Sequence, residues 1–175
     1  MESPVSEVDV VLLMGSSSDW KHLHPAVELF CEFGLSFRVH VSSAHRTPQR
    51  TVELVRRAEE DGCRVFVCAA GMAAHLAGTV AAHTLRPVLG VPLPGGVLDG
   101  VDALLSTVQM PGGVPVATFA VGSAGARNAA HFAAQIIASE RPGLASALAA
   151  WRWAAADKVE RAENELLTEL EDSGG

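Results

Sequence analysis

Gly15-Ser16-Ser17-Ser18-Asp19 follows directly on an apolar run that ends at Met14. A glycine allows a tight turn, and three serines bring hydroxyls and backbone N–H groups to the start of the next helix. That helix start carries a partial positive charge, so the stretch can cradle an anion such as a phosphate. Asp19 adds an acceptor for sugar hydroxyls. The plainer alternative, that Ser18 or Asp19 merely caps the helix, needs one residue and leaves the remaining serines without a task. A second stretch, Ser42-Ser43-Ala44-His45-Arg46-Thr47-Pro48, follows the next apolar run. The planar fork of Arg46 suits phosphate oxygens, its alternative being a surface ion pair with Glu53. His45 is of the residue type that most often moves protons in catalysis. Of the other histidines, His22, His24 and His40 fall on solvent-facing or strand positions, and His83 and His131 within or at the ends of helices. Only His75 competes with His45 near a strand end.

The elements that must position these loops read as an alternation. Strands are expected over 8–14, 37–41, 64–69, 87–91 and 114–121, and helices over 19–33, 48–61, 73–83, 101–110 and 124–138. Near-continuous Val, Leu and Phe in the strands is the composition of a parallel sheet covered on both faces. Five βα units in succession imply a three-layer αβα sandwich with a five-stranded parallel sheet in the flavodoxin-like order 2-1-3-4-5. In such a sheet, ligands bind at the carboxyl ends of the strands. The two stretches above, Ala70 to His75 after the third strand, and Pro92, Pro94, Gly95 and Gly96 after the fourth, all fall on that edge. The domain is expected to span 8–140. From 141 to 175 a helical tail carries one apolar stripe, Leu144, Leu148, Trp151, Ala155, Val159, Ala162, Leu166 and Leu170. That stripe must be buried against its own domain or, the favoured reading, a neighbouring subunit. Glu171 to Gly175 is expected to fray.

Composition narrows the classes. The chain has 175 residues, 49% of them hydrophobic, enough for one domain with a sizeable core. Its net charge is −7 and it has no Lys/Arg cluster, which excludes a general nucleic-acid binder. No apolar run approaches the ~20 residues of a membrane helix, and Met1 to Val8 lacks the pattern of a secretory signal. Cys31, Cys63 and Cys68 have no zinc spacing and read as reduced, mostly buried thiols of a cytoplasmic protein. There is no Walker loop, no G-x-G-x-x-G after the first strand and no G-x-S-x-G, and no His/Asp/Glu set for a metal assembles. The residues therefore describe cofactor-free chemistry on a small phosphorylated molecule. A flavin is disfavoured, because the loops lack aromatics to sandwich it.

The stretches "MGSSSDW", "SSAHRTP", "AAGMAAHLAG", "GVDALLSTVQMPGGVPVAT" and "AGARNAAHFAAQI" together resemble the N5-carboxyaminoimidazole ribonucleotide mutases of purine biosynthesis. The likeness runs from about Val8 to Ala138, with a compatible helical tail. It implies an isomerisation in which a carboxylate moves from the exocyclic amine to ring carbon four, with no ATP, cofactor or metal. It implies that His45 shuttles the proton, that Ser16, Ser18, Asp19 and Arg46 bind the nucleotide, and that Ser43, Gly71 and His75 line the pocket. Ala70, Gly71, Ala73 and Ala74 would give room to a confined CO₂. The implied partners are the small ribonucleotide, further copies in a homo-octamer, and the ATP-dependent carboxyaminoimidazole ribonucleotide synthase. Two departures stand out. The family's commonest third loop reads G-A-G-G-A-A-H-L-P-G, where this chain has Ala69, Met72 and Ala77 in place of two glycines and a proline. Ser17 and Ser123 stand where lysine is common. The related carboxylases, which fix free CO₂, tend to show A-H-K-x-P in the second loop and A-G-R-S-N in the third. His45-Arg46-Thr47 and Ala73-Ala74-His75 side with the mutases. A direct carboxylase and a non-catalytic nucleotide-binding module remain the competing readings.

Overall fold

In a computed structural model of the chain, residues 8–173 are described, so most of the stretch read for a leader and the last two tail residues lie outside them. The first strand, β1 (Val10–Met14), is apolar on both faces and every one of its residues is buried. Alternation sends Val10, Leu12 and Met14 to one face and Val11 and Leu13 to the other. Around it lie β2 (Phe37–Val41), β3 (Val65–Gly71), β4 (Val88–Leu93) and β5 (Ala117–Thr118), all parallel, in the order β2-β1-β3-β4-β5. The helices are α1 (Trp20–Glu32), α2 (Pro48–Glu60), α3 (Leu76–Ala81), α4 (Val101–Val108), α5 (Ser123–Ala138) and α6 (Pro142–Ser173). On one face, α1, α5 and the start of α6 bury Leu23, Phe30, Ala130 and Ile137 against the sheet. On the other, α2 and α3 close over Val11, Leu13, Phe66 and Cys68, and α4 sets Thr107 over Gly90. Each fully buried Leu or Phe contributes about 1.5–3 kcal/mol. The sandwich and its strand order are those expected from the sequence.

Several boundaries move, each for a physical reason. The expected strand over 114–121 shrinks to Ala117–Thr118, paired only with Leu89 and Gly90. It is an edge strand, and Pro115 has no N–H to give a ladder. β3 and β4 run two residues further than expected, so Pro92 lies inside β4 opposite Ala70 rather than in the loop. Its carbonyl accepts from Gly122 N–H (2.9 Å). The third helix starts at Leu76 instead of residue 73, because Met72 turns the chain with φ +52°. His75 thereby stays at the strand end. The cysteines are free, with Cys63 and Cys68 buried but Cys31 exposed. Burial pushes the Cys63 thiol up to about 11, so it is inert at neutral pH.

The tail splits its stripe. Leu144 is buried, and Leu148 and Trp151 pack on the core beside α5. Val159, Leu166 and Leu170 are 71%, 54% and 60% exposed, so more than half the helix leaves its own domain. It does not fray at Glu171 but continues to Ser173. Its root is fixed by Arg141, which grips the buried Asp9 carboxylate at 2.6 and 3.0 Å. Burial acts to raise the pKa of Asp9, but hydrogen bonds from Arg141 and Ser36 outweigh it and hold the carboxyl below its usual range.

At the same junction His131 stacks edge-on between Phe33 and Trp151, with ring centroids 5.2 and 4.2 Å away. Its buried Nε2 has no hydrogen-bond partner among the described residues. Burial lowers its pKa, opposed by the charge of Glu32. A base with a lowered folded pKa takes up a proton more readily when unfolded. Stability is thus complete above the unfolded value of about 6.5 and declines as pH falls through the folded one. His40, lowered by burial and by the charges of Arg50 and Arg38, acts in the same sense. Thermal melts across this window are expected to show Tm falling with pH. His131→Phe should flatten part of that slope and raise stability at neutral pH by about 1 kcal/mol, the cost of an orphaned polar atom. An unchanged slope would mean that His131 is not strained by protonation.

Candidate active site

The carboxyl ends of β1, β2, β3 and β4 enclose a cleft of about 570 Å³. All eight residues singled out from the sequence line it: Ser16, Ser18, Asp19, Ser43, His45, Arg46, Gly71 and His75. β1 delivers the serine loop, which folds as a single 3-10 turn, Ser17–Asp19. The cap is Ser16, not Ser18 or Asp19. Its hydroxyl accepts from Ser18 N–H (3.3 Å), and Asp19 Oδ2 accepts from Ser16 N–H (3.0 Å), a reciprocal capping box. Ser18 Oγ donates to Ser16 Oγ at 2.9 Å. The capping alternative and the ligand reading therefore coexist in one loop: the box fixes its shape, and Ser16, Ser18 and Asp19 still line the cleft. Burial raises the pKa of Asp19, opposed by the Ser16 hydrogen bond and the nearby charges of His22 and Lys21.

β2 delivers the second loop, held from within. Thr47 Oγ1 accepts from Ser43 N–H (3.0 Å) and donates to the Ser43 carbonyl (3.1 Å). Ser42 is buried against Thr51, with the two hydroxyls 2.8 Å apart, so this serine is structural. Arg46 reaches across to the serine loop, where its guanidinium donates to the Gly15 carbonyl at 3.3 Å. The ion pair considered with Glu53 does not form, since Glu53 pairs with Arg57 instead. Among the described residues no carboxylate neutralises Arg46. A cation beside a helix start and serine hydroxyls is a setting for a dianion such as phosphate.

His45 and His75 meet across the cleft. His45 Nε2 lies 2.8 Å from His75 Nδ1, and the rings stand edge to face at 73°. In a neutral pair one nitrogen must donate and the other accept, so the two tautomers are linked. Sequence spacing could nominate His75 as a rival; only the fold shows the two to be partners. Ala70, Gly71 and Ala73 line the cleft with nothing longer than a methyl, whereas Ala74 is buried behind it, its N–H donating to Ser106 Oγ (3.1 Å). Ala44 and Leu76 belong to the lining too and were not singled out. Their only signal was adjacency to His45 and His75. A groove of about 590 Å³ between α5 and α6 is lined mainly by Ala138, Ala145, Leu148, Ala149 and Trp153. It brings no acid and base together, unlike the cleft at the strand ends.

A family model described as AIR carboxylase matches residues 9–158. The chain belongs to the AIR carboxylase family. Its curated relatives in that family carry the narrower name N5-carboxyaminoimidazole ribonucleotide mutase. The one from Brucella melitensis is 48% identical over 90% of this chain and 98% of its own. That from Escherichia coli K12 is 48% identical over 91% and 94%, and that from Bacillus subtilis 45% identical over 94% and 95%. Among solved structures, Treponema denticola PurE superposes with a TM-score of 0.81 at 26% identity, covering 90% of this chain and 97% of that one. Among the described residues of this family member no helix is long and apolar enough to cross a membrane, and no three His, Cys, Asp or Glu side chains are grouped to hold a metal ion.

Proposed function

We propose that this chain isomerises N5-carboxyaminoimidazole ribonucleotide to 4-carboxy-5-aminoimidazole ribonucleotide. One observation carries the reading. In a chain 48% identical to curated mutases, Ser16, Ser18, Asp19, Arg46 and the His45–His75 pair converge on one cleft. The serine loop and Arg46 take the ribose phosphate, and Asp19 accepts from sugar hydroxyls. The carbamate C–N bond breaks, CO₂ is freed, and His45 delivers a proton to the departing nitrogen. The electron-rich ring carbon attacks the confined CO₂, a C–C bond forms, and the C–H proton returns to His45. Atoms and protons balance without a co-substrate, which is why the reading needs neither ATP nor a metal. Ser43, Gly71 and His75 shape the pocket, and small side chains let the reacting groups approach closely.

The same reading makes 8–140 the catalytic unit and 141–175 a tail that packs on a neighbouring subunit of a homo-octamer. Apolar side chains left in solvent support assembly: Val97, Leu98, Val101, Leu105 and Val108 on one side, and Val159, Leu166 and Leu170 along α6. The reaction belongs in the cytoplasm, after the ATP-dependent synthase that makes the carbamate.

The test is a paired assay without ATP. One sample holds fresh carbamate substrate, the other the uncarboxylated ribonucleotide with modest bicarbonate, and product is followed by its ultraviolet absorbance. Turnover in the first alone is expected. Turnover mainly in the second would make this the direct carboxylase that the family's description allows, and silence in both would leave a nucleotide-binding module. Arg46→Ala is expected to raise KM about 10- to 100-fold, the loss of a charge-assisted phosphate contact, with a smaller change in kcat. An unchanged KM would remove Arg46 from the phosphate site.

A further inference from the structure

The family model stops at residue 158, but α6 runs on as helix to Ser173. That continuation is exposed, with Leu166, Leu167 and Leu170 each more than half open to solvent. An apolar helix face left in water marks an interaction surface. Two observations say what covers it.

The first is spacing. Val159, Glu163, Leu166 and Leu170 succeed one another at intervals of four, three and four. Ala145, Ala149, Arg152 and Ala156 do the same in the first half of the helix, three residues before them. Together they form one seam with the 3.5-residue period of paired helices. Ala145, Ala149 and Arg152 line the groove of about 590 Å³ between α5 and α6. The groove half of the seam is built of small apolar residues and the free half of large ones. Two copies paired in parallel would set leucine on leucine and alanine on alanine, leaving the groove unfilled. In an antiparallel pair one register sets Leu170 on Ala145, Leu166 on Ala149 and Val159 on Ala156. Each large side chain then meets a small one.

The second is charge. Residues 159–173 carry six acids and one base, whereas 142–158 carry two bases and one acid. A parallel pair would lay the two acidic halves together, where like charges repel. The antiparallel register lays each acidic half on the other copy's basic half and brings Glu163 opposite Arg152. Among the described residues neither of these side chains forms an ion pair within its own protomer. Each copy offers both halves, so the contact is two-fold and closes on itself.

Resting on the reading that the tail packs on a neighbouring subunit, we infer that α6 pairs antiparallel with α6 of a second copy. Its distal half is seated in that copy's groove between α5 and α6, with Arg152 and Glu163 fixing direction and register.

The experiment places cysteines in the full chain after the exposed native thiol is removed by Cys31→Ser. A short bis-maleimide is added and the products are sized under denaturing conditions. Ala149→Cys combined with Leu166→Cys is expected to give a linked two-chain species. Leu166→Cys alone should give at least about tenfold less, because its two copies lie about 25 Å apart along an antiparallel pair. Arg152→Glu or Glu163→Arg should each slow linking about tenfold, and both together should recover it to within about threefold. All these positions are exposed and outside the strand-end cleft, so the protomer should keep its helical signal and melting point. Light scattering of the wild type reports assembly separately. An assembled chain in which Leu166→Cys alone links as well as the pair, the pair does not link, or the charge reversals change nothing would overturn the antiparallel seat. It would leave assembly through other surfaces standing. A wild type that is monomeric at micromolar concentration would overturn both.

Discussion

His45→Asn is expected to fold normally, bind the ribonucleotide, and lose about 10²- to 10⁴-fold in kcat, the usual contribution of a positioned acid/base. The side chain is exposed on a loop whose own hydrogen bonds run through Ser43 and Thr47, so stability has little reason to change. Asparagine is polar but shorter, its amide standing where the imidazole has Nδ1, so it does not reach His75 as His45 Nε2 does, and it cannot take up and return a proton. The loss should therefore appear in kcat with KM nearly unchanged. His75→Asn is the informative control. His75 touches the same ring at 2.8 Å, and if it only orients His45 its removal should cost less and move the pH profile rather than abolish turnover. A His45→Asn enzyme retaining more than about a tenth of wild-type kcat would be incompatible with a proton shuttle at this position. Equal losses in the two variants would make the pair, rather than His45, the acid/base.

Gly125→Ala is expected to destabilise the fold by more than about 3 kcal/mol, in the range seen when a packed core is overfilled. Helix propensity predicts the opposite, a gain of about 1 kcal/mol for alanine over glycine inside a helix. Geometry decides between them. Before α5 the chain turns so tightly that a Cβ at Gly125 would lie 1.7 Å from the Ala120 carbonyl oxygen and 2.7 Å from its carbon. Both are backbone atoms that no rotamer change can move. The same turn sends Gly122 N–H to the Pro92 carbonyl and so ties α5 to the strand that carries Pro94 and Gly95 into the cleft. Denaturant unfolding should report the loss, and any protein that still folds should bind the ribonucleotide more weakly. A Gly125→Ala midpoint at or above wild type would mean the turn opens at little cost.

Legibility differed between elements for identifiable reasons. α2 is legible to within a residue because Pro48 marks its start and Thr51, Val55 and Ala58 repeat on one buried face. β2 is legible over its whole length, and β1 is recognisable because a strand buried on both faces has little alternative to a run of Val and Leu. β5 is shorter than its sequence implies: Val114 to Val121 has strand-forming composition, but pairing needs a neighbour, and only Leu89 and Gly90 provide one. α3 starts three residues later than its sequence implies, because nothing local says that Met72 adopts φ +52°. The tail's stripe was visible, but its division was not, since only the sheet's finite width decides that Leu144 is covered and Val159 is not.

The sequence by itself determined the sandwich, the strand order and the edge on which Ser16, Ser18, Asp19, Ser43, His45, Arg46, Gly71 and His75 fall. These follow from periodicity, glycine placement and the rule that open parallel sheets present ligands at one end. Only the tertiary structure decided that His45 and His75 share a hydrogen bond, that Arg46 turns to Gly15 and not to Glu53, and that Met72 lies on Gly96. Each of those contacts joins residues at least 24 apart in the chain. Their approach is set by how adjacent strands pair and twist, and no local pattern of residues encodes that distance.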